Sequence, residues 1–326
     1  MGDSLRNIAN TIKDLDSILI FPHINMDGDS LGASTALCLA LRSIGKKSYV
    51  MLDEEIPENL DFLECGCSIY DVDSYDRFDL SLQIDSSGMN RILGREAAWE
   101  KGKIKGCIDH HPTVKQDVYY DFYLTEPETA ATGEIIYRLI KYLGAEITLD
   151  IANCIFAAIV TDTGNFQYSN TTRQTHEITA ELYDIKDFNA KIVSALIYER
   201  RSKDSIMMEG EVLSNLEFFS EGKVAIGTLT QDILTKYGCM MNESEGIVQR
   251  IMTIEGVEVG CLIKEDDSNL VRVSLRAKHK ANVAVVATKF GGGGHLRAAG
   301  CTMYISPQEA KKHLIPELIQ AAETYV

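Results

Sequence analysis

Three short apolar runs each stop on an acid or a histidine: "SILIFPHINMDGDS" from Ser17 to Ser30, "LSLQIDSSG" from Leu80 to Gly88 and "KGCIDHHP" from Lys105 to Pro112. Runs this short, rich in Ile and Leu and punctuated by Gly, Pro and Asp, read as strands buried in a sheet. Strands are expected at Ser17–Phe21, Ser48–Met51, Leu80–Ile84 and Lys105–Ile108. Helices are expected at Leu31–Ile44, Thr132–Leu143, Asp150–Val160 and Arg173–Leu182, where apolar residues recur near the helical period. Strand alternating with helix from Leu5 to Leu182 predicts an α/β domain on a parallel sheet.

A polar, helix-prone stretch follows, holding "YERRSKDSIMMEGEVL". After it, strand-like "KVAIGTLT", "VEVGCLIKE" and "LVRVSLRA" alternate with helical "ESEGIVQRIMTI" and "NVAVVATKF", which predicts a second, smaller α/β domain. The expected boundaries are 1–186 for the first domain, 187–219 for a helical linker and 220–326 for the second domain. With 326 residues and 45% hydrophobic content, the chain can fill both cores.

In an open parallel sheet, residues just beyond the carboxyl ends of different strands meet in one crevice. His23, Asp27 and Asp29 follow the first run, Asp85 the second, and Asp109, His110 and His111 end the third. Taken alone, "HINMDGDS" reads as a solvated acidic turn. Asp162 in "AAIVTDTGNF" taken alone reads as a helix-ending turn closed by Gly164. Together the groups offer Asp27, Asp29, Asp85 and Asp162 as carboxylates and His23 and His110 as imidazoles, more than one hard cation needs. Two ions about 3.5 to 4 Å apart, sharing a carboxylate, would use them all. Imidazole and carboxylate without thiolate suit Mn²⁺ first, with Mg²⁺, Co²⁺ or Fe²⁺ as competitors.

A net charge of −16 opposes the approach of long polyanions, so long nucleic acid is an unlikely partner and a small anion neutralised by metal remains. None of the eight cysteines forms a C-x-x-C pair, and Cys65-Gly66-Cys67 reads as two ordinary thiols. That cysteine usage, no apolar stretch near the ~20 residues that span a bilayer and no signal-like N-terminus predict a cytoplasmic protein without membrane partners.

"HINMDGDS", "IDSS", "DHH" and "TDTG" stand in the order and rough spacing of the four motifs of the DHH phosphoesterases, which the chain resembles. "LVRVSLRAK" followed by "FGGGGHLRAAG" resembles the accessory DHHA1 domain of that family. The resemblance implies that His23, Asp27 and Asp85 hold one ion and Asp29, Asp85, His110 and Asp162 the other, with Asp85 bridging. Asp109 then orients a neighbouring imidazole, and His111 contacts the phosphate or the leaving oxygen. The common family pattern is departed from at Ala33 and Ala277, neither of them a ligand.

Four glycines in a row before His295 suggest close approach to a ligand, and Arg276 suits a terminal phosphate. Arg276, Gly292, Gly293, Gly294 and His295 are therefore the expected substrate-binding residues. Size and domain content resemble the compact group of oligoribonucleases that also dephosphorylate 3'-phosphoadenosine 5'-phosphate. A cyclic di-AMP or linear dinucleotide phosphodiesterase is the near alternative, a non-catalytic nucleotide sensor a remote one. Small nucleotides and very short RNA are the expected partners, and a homodimer is left open.

Overall fold

The computed structural model describes residues 4–73, 75, 77–112, 118–267, 269–279 and 281–323, the side chains of 267 and 295 excepted. The chain divides into two compact units, Met1–Arg200 and Arg201–Val326.

In the first unit, helix α1 (Leu5–Lys13) leads into β1 (Ser17–Phe21), α2 (Gly28–Ser43), β2 (Lys47–Met51), β3 (Ser68–Ile69) and β4 (Phe78–Ile84). Then come α3 (Glu96–Trp99), β5 (Gly102–Asp109), β6 (Phe122–Thr125), α4 (Thr132–Leu143), α5 (Leu149–Asp162), α6 (Arg173–Leu182) and α7 (Ala190–Tyr198). The sheet order is β3-β2-β1-β4-β5-β6 and every pairing is parallel. An α/β fold on a parallel sheet is thus what the short apolar runs produce. From β1 the chain builds outward through β2 and β3, then returns to place β4 on the other side of β1. The carboxyl ends of β1 and β4 therefore diverge at a switch point, where such sheets open a crevice.

Core packing explains why the apolar runs are continuous. Ile18 to Phe21 are fully buried in the middle of the sheet, and α2 and α5 are buried along nearly their whole length. The helix expected at Leu31–Ile44 begins earlier, at Gly28, because Asp27 caps it: its Oδ1 accepts from the Ser30 N–H at 3.0 Å. Asp29 consequently lies in the first turn of a helix rather than in a free loop.

The second unit holds α8 (Lys203–Ser214), β7 (Glu217–Phe219), β8 (Val224–Leu229), α9 (Gln231–Tyr237), α10 (Ile247–Met252) and β9 (Val259–Asp267). It ends with β10 (Leu270–Ala277), α11 (Val283–Lys289), β11 (Gly293–His295), β12 (Ala298–Met303) and α12 (Pro307–Glu323). Its sheet, β11-β12-β10-β9-β8-β7, is mixed, with β8 parallel to β9 and the other pairs antiparallel. Residues 187–219 hold α7, α8 and β7, and the two units divide between the helices. Strand β10 alternates: Val271, Val273, Leu275 and Ala277 join the core under α11 and α12, which leaves Arg272, Ser274 and Arg276 on the opposite face.

Candidate metal centre

Asp85 is the first residue past β4, and its backbone lies in the left-handed region at φ +62°. That conformation is uncommon for a residue other than glycine and is held here by its N–H, which donates to the Ile108 carbonyl at 2.9 Å. The buried carboxylate is thereby aimed into the crevice, 3.5 Å from His23 Nε2 and 3.6 Å from His110 Nε2. His23 follows β1 and His110 follows β5, so two strand ends flank the third.

Both imidazoles are oriented by backbone. His23 Nδ1 lies 2.9 Å from the Ile24 carbonyl and His110 Nδ1 lies 3.2 Å from the Thr129 carbonyl. A carbonyl only accepts, so Nδ1 carries the proton in each ring and Nε2 is the nitrogen turned toward the carboxylates. Around His23 Nε2, Asp27 Oδ2 stands at 3.7 Å, and around His110 Nε2, Asp162 Oδ2 stands at 3.1 Å and Asp29 Oδ2 at 4.0 Å.

Asp29 is fully buried, and both of its oxygens accept from the start of α4, the Thr132 N–H at 2.7 Å and the Gly133 N–H at 2.8 Å. It caps a helix whose own N-cap residue, Ala131, has no side-chain oxygen. Thr132 Oγ1 also donates to Asp85 Oδ1 at 2.8 Å. Thr132 and the Thr129 carbonyl were not singled out from the sequence. The one trace they leave there is Ala131, a helix start lacking a local cap.

Such a cluster of carboxylates cannot stay fully ionised without positive charge. Burial and then the neighbouring charges of Asp85, Asp162 and Asp27 push Asp29 well above the ordinary carboxyl range. Burial and the charges of Asp85 and Asp27 raise Asp162 to about 6, although the His110 bond opposes this. Burial works against a proton on His23, but the Asp27 and Asp85 carboxylates raise its pKa to about 10. For His110, burial is likewise outweighed by Asp162 and Asp85, to about 9. Positive charge on the two imidazoles offsets the carboxylates around them.

The donor set suits cations instead. Ligand atoms of His23, Asp27 and Asp85 all lie within 4.8 Å of one another, and so do those of Asp29, His110 and Asp162, and those of Asp85, His110 and His111. The atoms are carboxylate oxygens and imidazole nitrogens with no thiolate, a set for hard or borderline divalent ions. Asp109 is buried, and its Oδ1 takes both the His111 N–H at 3.0 Å and His111 Nδ1 at 2.6 Å. Burial opposes both charges of this pair, yet their contact lowers the Asp109 carboxyl and raises the His111 imidazole.

In the second unit, half-buried Arg276 donates from Nη1 to the Leu275 carbonyl at 3.0 Å. The glycine run divides. A Cβ on Gly292 would stand 2.1 Å from the Gly300 carbonyl oxygen, and one on Gly294, at φ +141°, would stand 2.5 Å from the Ala298 carbonyl oxygen. Those two glycines admit the neighbouring β12 backbone, whereas Gly293 has open space where its side chain would be. The side chain of His295 lies outside the described structure.

A family model for the DHH family, N-terminal domain, matches residues 17–159, and one for the DHHA1 domain matches residues 221–326. The chain is similar to the bifunctional oligoribonuclease and PAP phosphatase NrnA of Thermus thermophilus, 30% identical over 303 residues that cover 92% of this chain and 89% of that protein. It is 25% identical to the cyclic-di-AMP phosphodiesterase PdeA of Listeria monocytogenes, over 95% of this chain but 49% of that protein. Among solved structures, an exopolyphosphatase-related protein from Bacteroides fragilis matches with a TM-score of 0.88 and 27% identity, covering 98% of this chain and 96% of that one. Among the described residues, no helix is long and apolar enough to cross a membrane.

Proposed function

Because this chain belongs to the DHH family and carries a DHHA1 domain, we propose that it is a two-metal phosphoesterase acting on very short RNA and dinucleotides, and on 3'-phosphoadenosine 5'-phosphate to give AMP. The observation that carries the reading is the position of Asp85, whose carboxylate lies 3.5 Å from His23 Nε2 and 3.6 Å from His110 Nε2, between the group that His23 forms with Asp27 and the group that His110 forms with Asp29 and Asp162. Similarity to a relative named for both reactions, over most of both chains, supports the substrates.

In this reading His23, Asp27 and Asp85 hold one cation, and Asp29, Asp85, His110 and Asp162 the other. Divalent cations bound there, Mn²⁺ foremost, supply Lewis-acid chemistry, a more acidic water and neutralised phosphoryl oxygens. The protein's part is placement. The Ile24 and Thr129 carbonyls fix the two imidazoles, and Thr132 fixes the shared carboxylate. His111, its Nδ1 engaged by Asp109, gives a proton from Nε2 to the departing sugar oxygen. Arg276 holds a terminal phosphate in the second unit, with Gly292, Gly293, Gly294 and His295 beside it. The net charge of −16 disfavours longer chains.

Similarity to PdeA keeps cyclic di-AMP as the second reading. The test is a panel of 3'-phosphoadenosine 5'-phosphate, linear and cyclic dinucleotides and RNAs of increasing length, assayed with Mn²⁺. Highest kcat/KM on the bisphosphate and on the shortest RNAs supports the proposal. Preference for cyclic di-AMP moves the chain to the second reading, and nucleotide binding without turnover would make it a sensor.

A further inference from the structure

We infer that Tyr168 and Tyr198 form an aromatic platform beside Asp162 on which a nucleobase of the substrate stacks. The inference rests on the nucleotide reading above and adds a base-gripping site to the first unit. It begins from a strained turn. Gly164, Asn165 and Phe166 follow one another in the left-handed region, at φ +55°, +57° and +65°. Glycine adopts that conformation freely, but Phe does not, and such strain persists only where surrounding contacts enforce it, commonly at binding sites. The enforcing contacts are present: the Phe166 ring stacks on His176 at 5.4 Å and leans on Phe156 at 6.2 Å.

The turn folds the chain back over the end of α5. The Tyr168 N–H donates to the Thr163 carbonyl at 2.9 Å, and the Tyr168 ring covers Gly164 so closely that a Cβ there would stand 2.3 Å from it. Asn170 Nδ2 then donates to the carbonyl of Asp162 at 3.0 Å and to that of Ala130 at 3.1 Å, which pins the far side of the loop. From the end of α7, Tyr198 reaches the same place, its hydroxyl donating to the Val160 carbonyl at 2.8 Å. Tyr168 and Tyr198 are thus both anchored at the carboxyl end of α5, the helix whose last residue is Asp162.

Both rings remain open, Tyr168 at 49% and Tyr198 at 43% exposure. Aromatic rings serving the core would be covered, and these two are instead held at the end of α5 by the Thr163 and Val160 carbonyls while exposed beside a candidate phosphoester site. Any nucleotide whose phosphate lies at Asp162 carries a base within reach of such a surface. Every base has a π-face, so the platform would accept bases with little sequence preference.

A dinucleotide containing 2-aminopurine, whose fluorescence is quenched on stacking, tests this directly with the full chain. Tyr168→Leu is expected to weaken binding of that probe about 5- to 100-fold and to lower, by a similar factor, the kcat/KM ratio of a dinucleotide over its base-free analogue. Tyr168→Phe keeps the ring and should restore both, which separates stacking from a folding defect. Unchanged affinity and ratio in a Tyr168→Leu/Tyr198→Leu double variant would overturn the platform. So would a finding that the leucine variants alter only self-association, because the rings would then serve a second copy of the chain. Quenched binding by a protein that hydrolyses no dinucleotide would sink the proposed function and leave the platform standing. Hydrolysis with an unaltered ratio would do the reverse.

Discussion

In the first unit the candidate ligands other than Asp162, which ends helix α5, stand past the carboxyl ends of three parallel strands, whereas in the second Arg276 lies within a strand, on one face of a mixed sheet. Parallel strands all end on the same side, so a residue added after any of them points toward a common crevice. That geometry concentrates charge: Asp85 lies within 3.6 Å of both His23 and His110 although each of the three follows a different strand. An antiparallel strand distributes side chains by alternation instead: Arg272 and Arg276 share one face of β10, and Arg272 pairs with Asp266 at 2.7 Å. The first arrangement suits ions that need several donors, whereas the second spreads its charges along one face of a strand.

The most severe way to break this comparison is to remove the residue on which the strand ends converge. Asp85→Ala should lose metal and hydrolytic activity by more than the ~10- to 100-fold that losing an outer partner costs, with the sheet still folded by circular dichroism. A metal-loaded, active variant would end the two-ion assignment.

Next in size is the response to pH. His23 and His110, with pKa values raised to about 10 and about 9 by their carboxylate partners, are protonated at neutral pH in the metal-free protein. Cations must displace those protons, so affinity should rise with pH and fall about tenfold per unit of acidification for each proton expelled. Titration calorimetry in buffers of different ionisation enthalpy reads the proton release directly, and a buffer-independent heat would contradict it.

The second unit should answer on a different substrate. Arg276→Ala is expected to lower kcat/KM for dinucleotides by ~1.5 to 3 kcal/mol, as for a charge-assisted hydrogen bond, and to alter hydrolysis of bis(p-nitrophenyl) phosphate far less. Equal losses on both would mean that the two regions do not divide the work. Thr132→Val removes the hydroxyl that holds Asp85 and should cost metal affinity about 10-fold or somewhat more, at little cost in melting temperature.

The smallest effect separates two neighbouring glycines. Gly292→Ala should destabilise by about 1–3 kcal/mol through its clash with Gly300, while Gly293→Ala should stay within about 0.5 kcal/mol in denaturant unfolding and report on ligand alone. Matching stability losses would show that the space beside Gly293 is not free to take a methyl group.

The sequence by itself marked strands β1, β2, β4 and β5 and the residues that stand as candidate ligands, but not the short strands β3 and β6. Ser17–Phe21 and Thr132–Leu143 fall where the sequence places them, because burial on both faces of a strand leaves a continuous apolar run and burial of a helix leaves the helical period, and local residues alone record both. It also marked which side of the sheet carries chemistry, since acids at strand ends need only the parallel topology to meet. Tertiary structure decided the rest. Asp29 serves α4 from another part of the chain, Thr132 reaches Asp85, and the Tyr168 ring covers Gly164 while Tyr198 comes from a separate helix. The glycine run admits a neighbouring strand at Gly292 and Gly294, which four identical letters could not reveal. Each of these is a contact between residues distant in sequence or a turn enforced by such contacts, and local composition carries no record of which partner the fold will deliver.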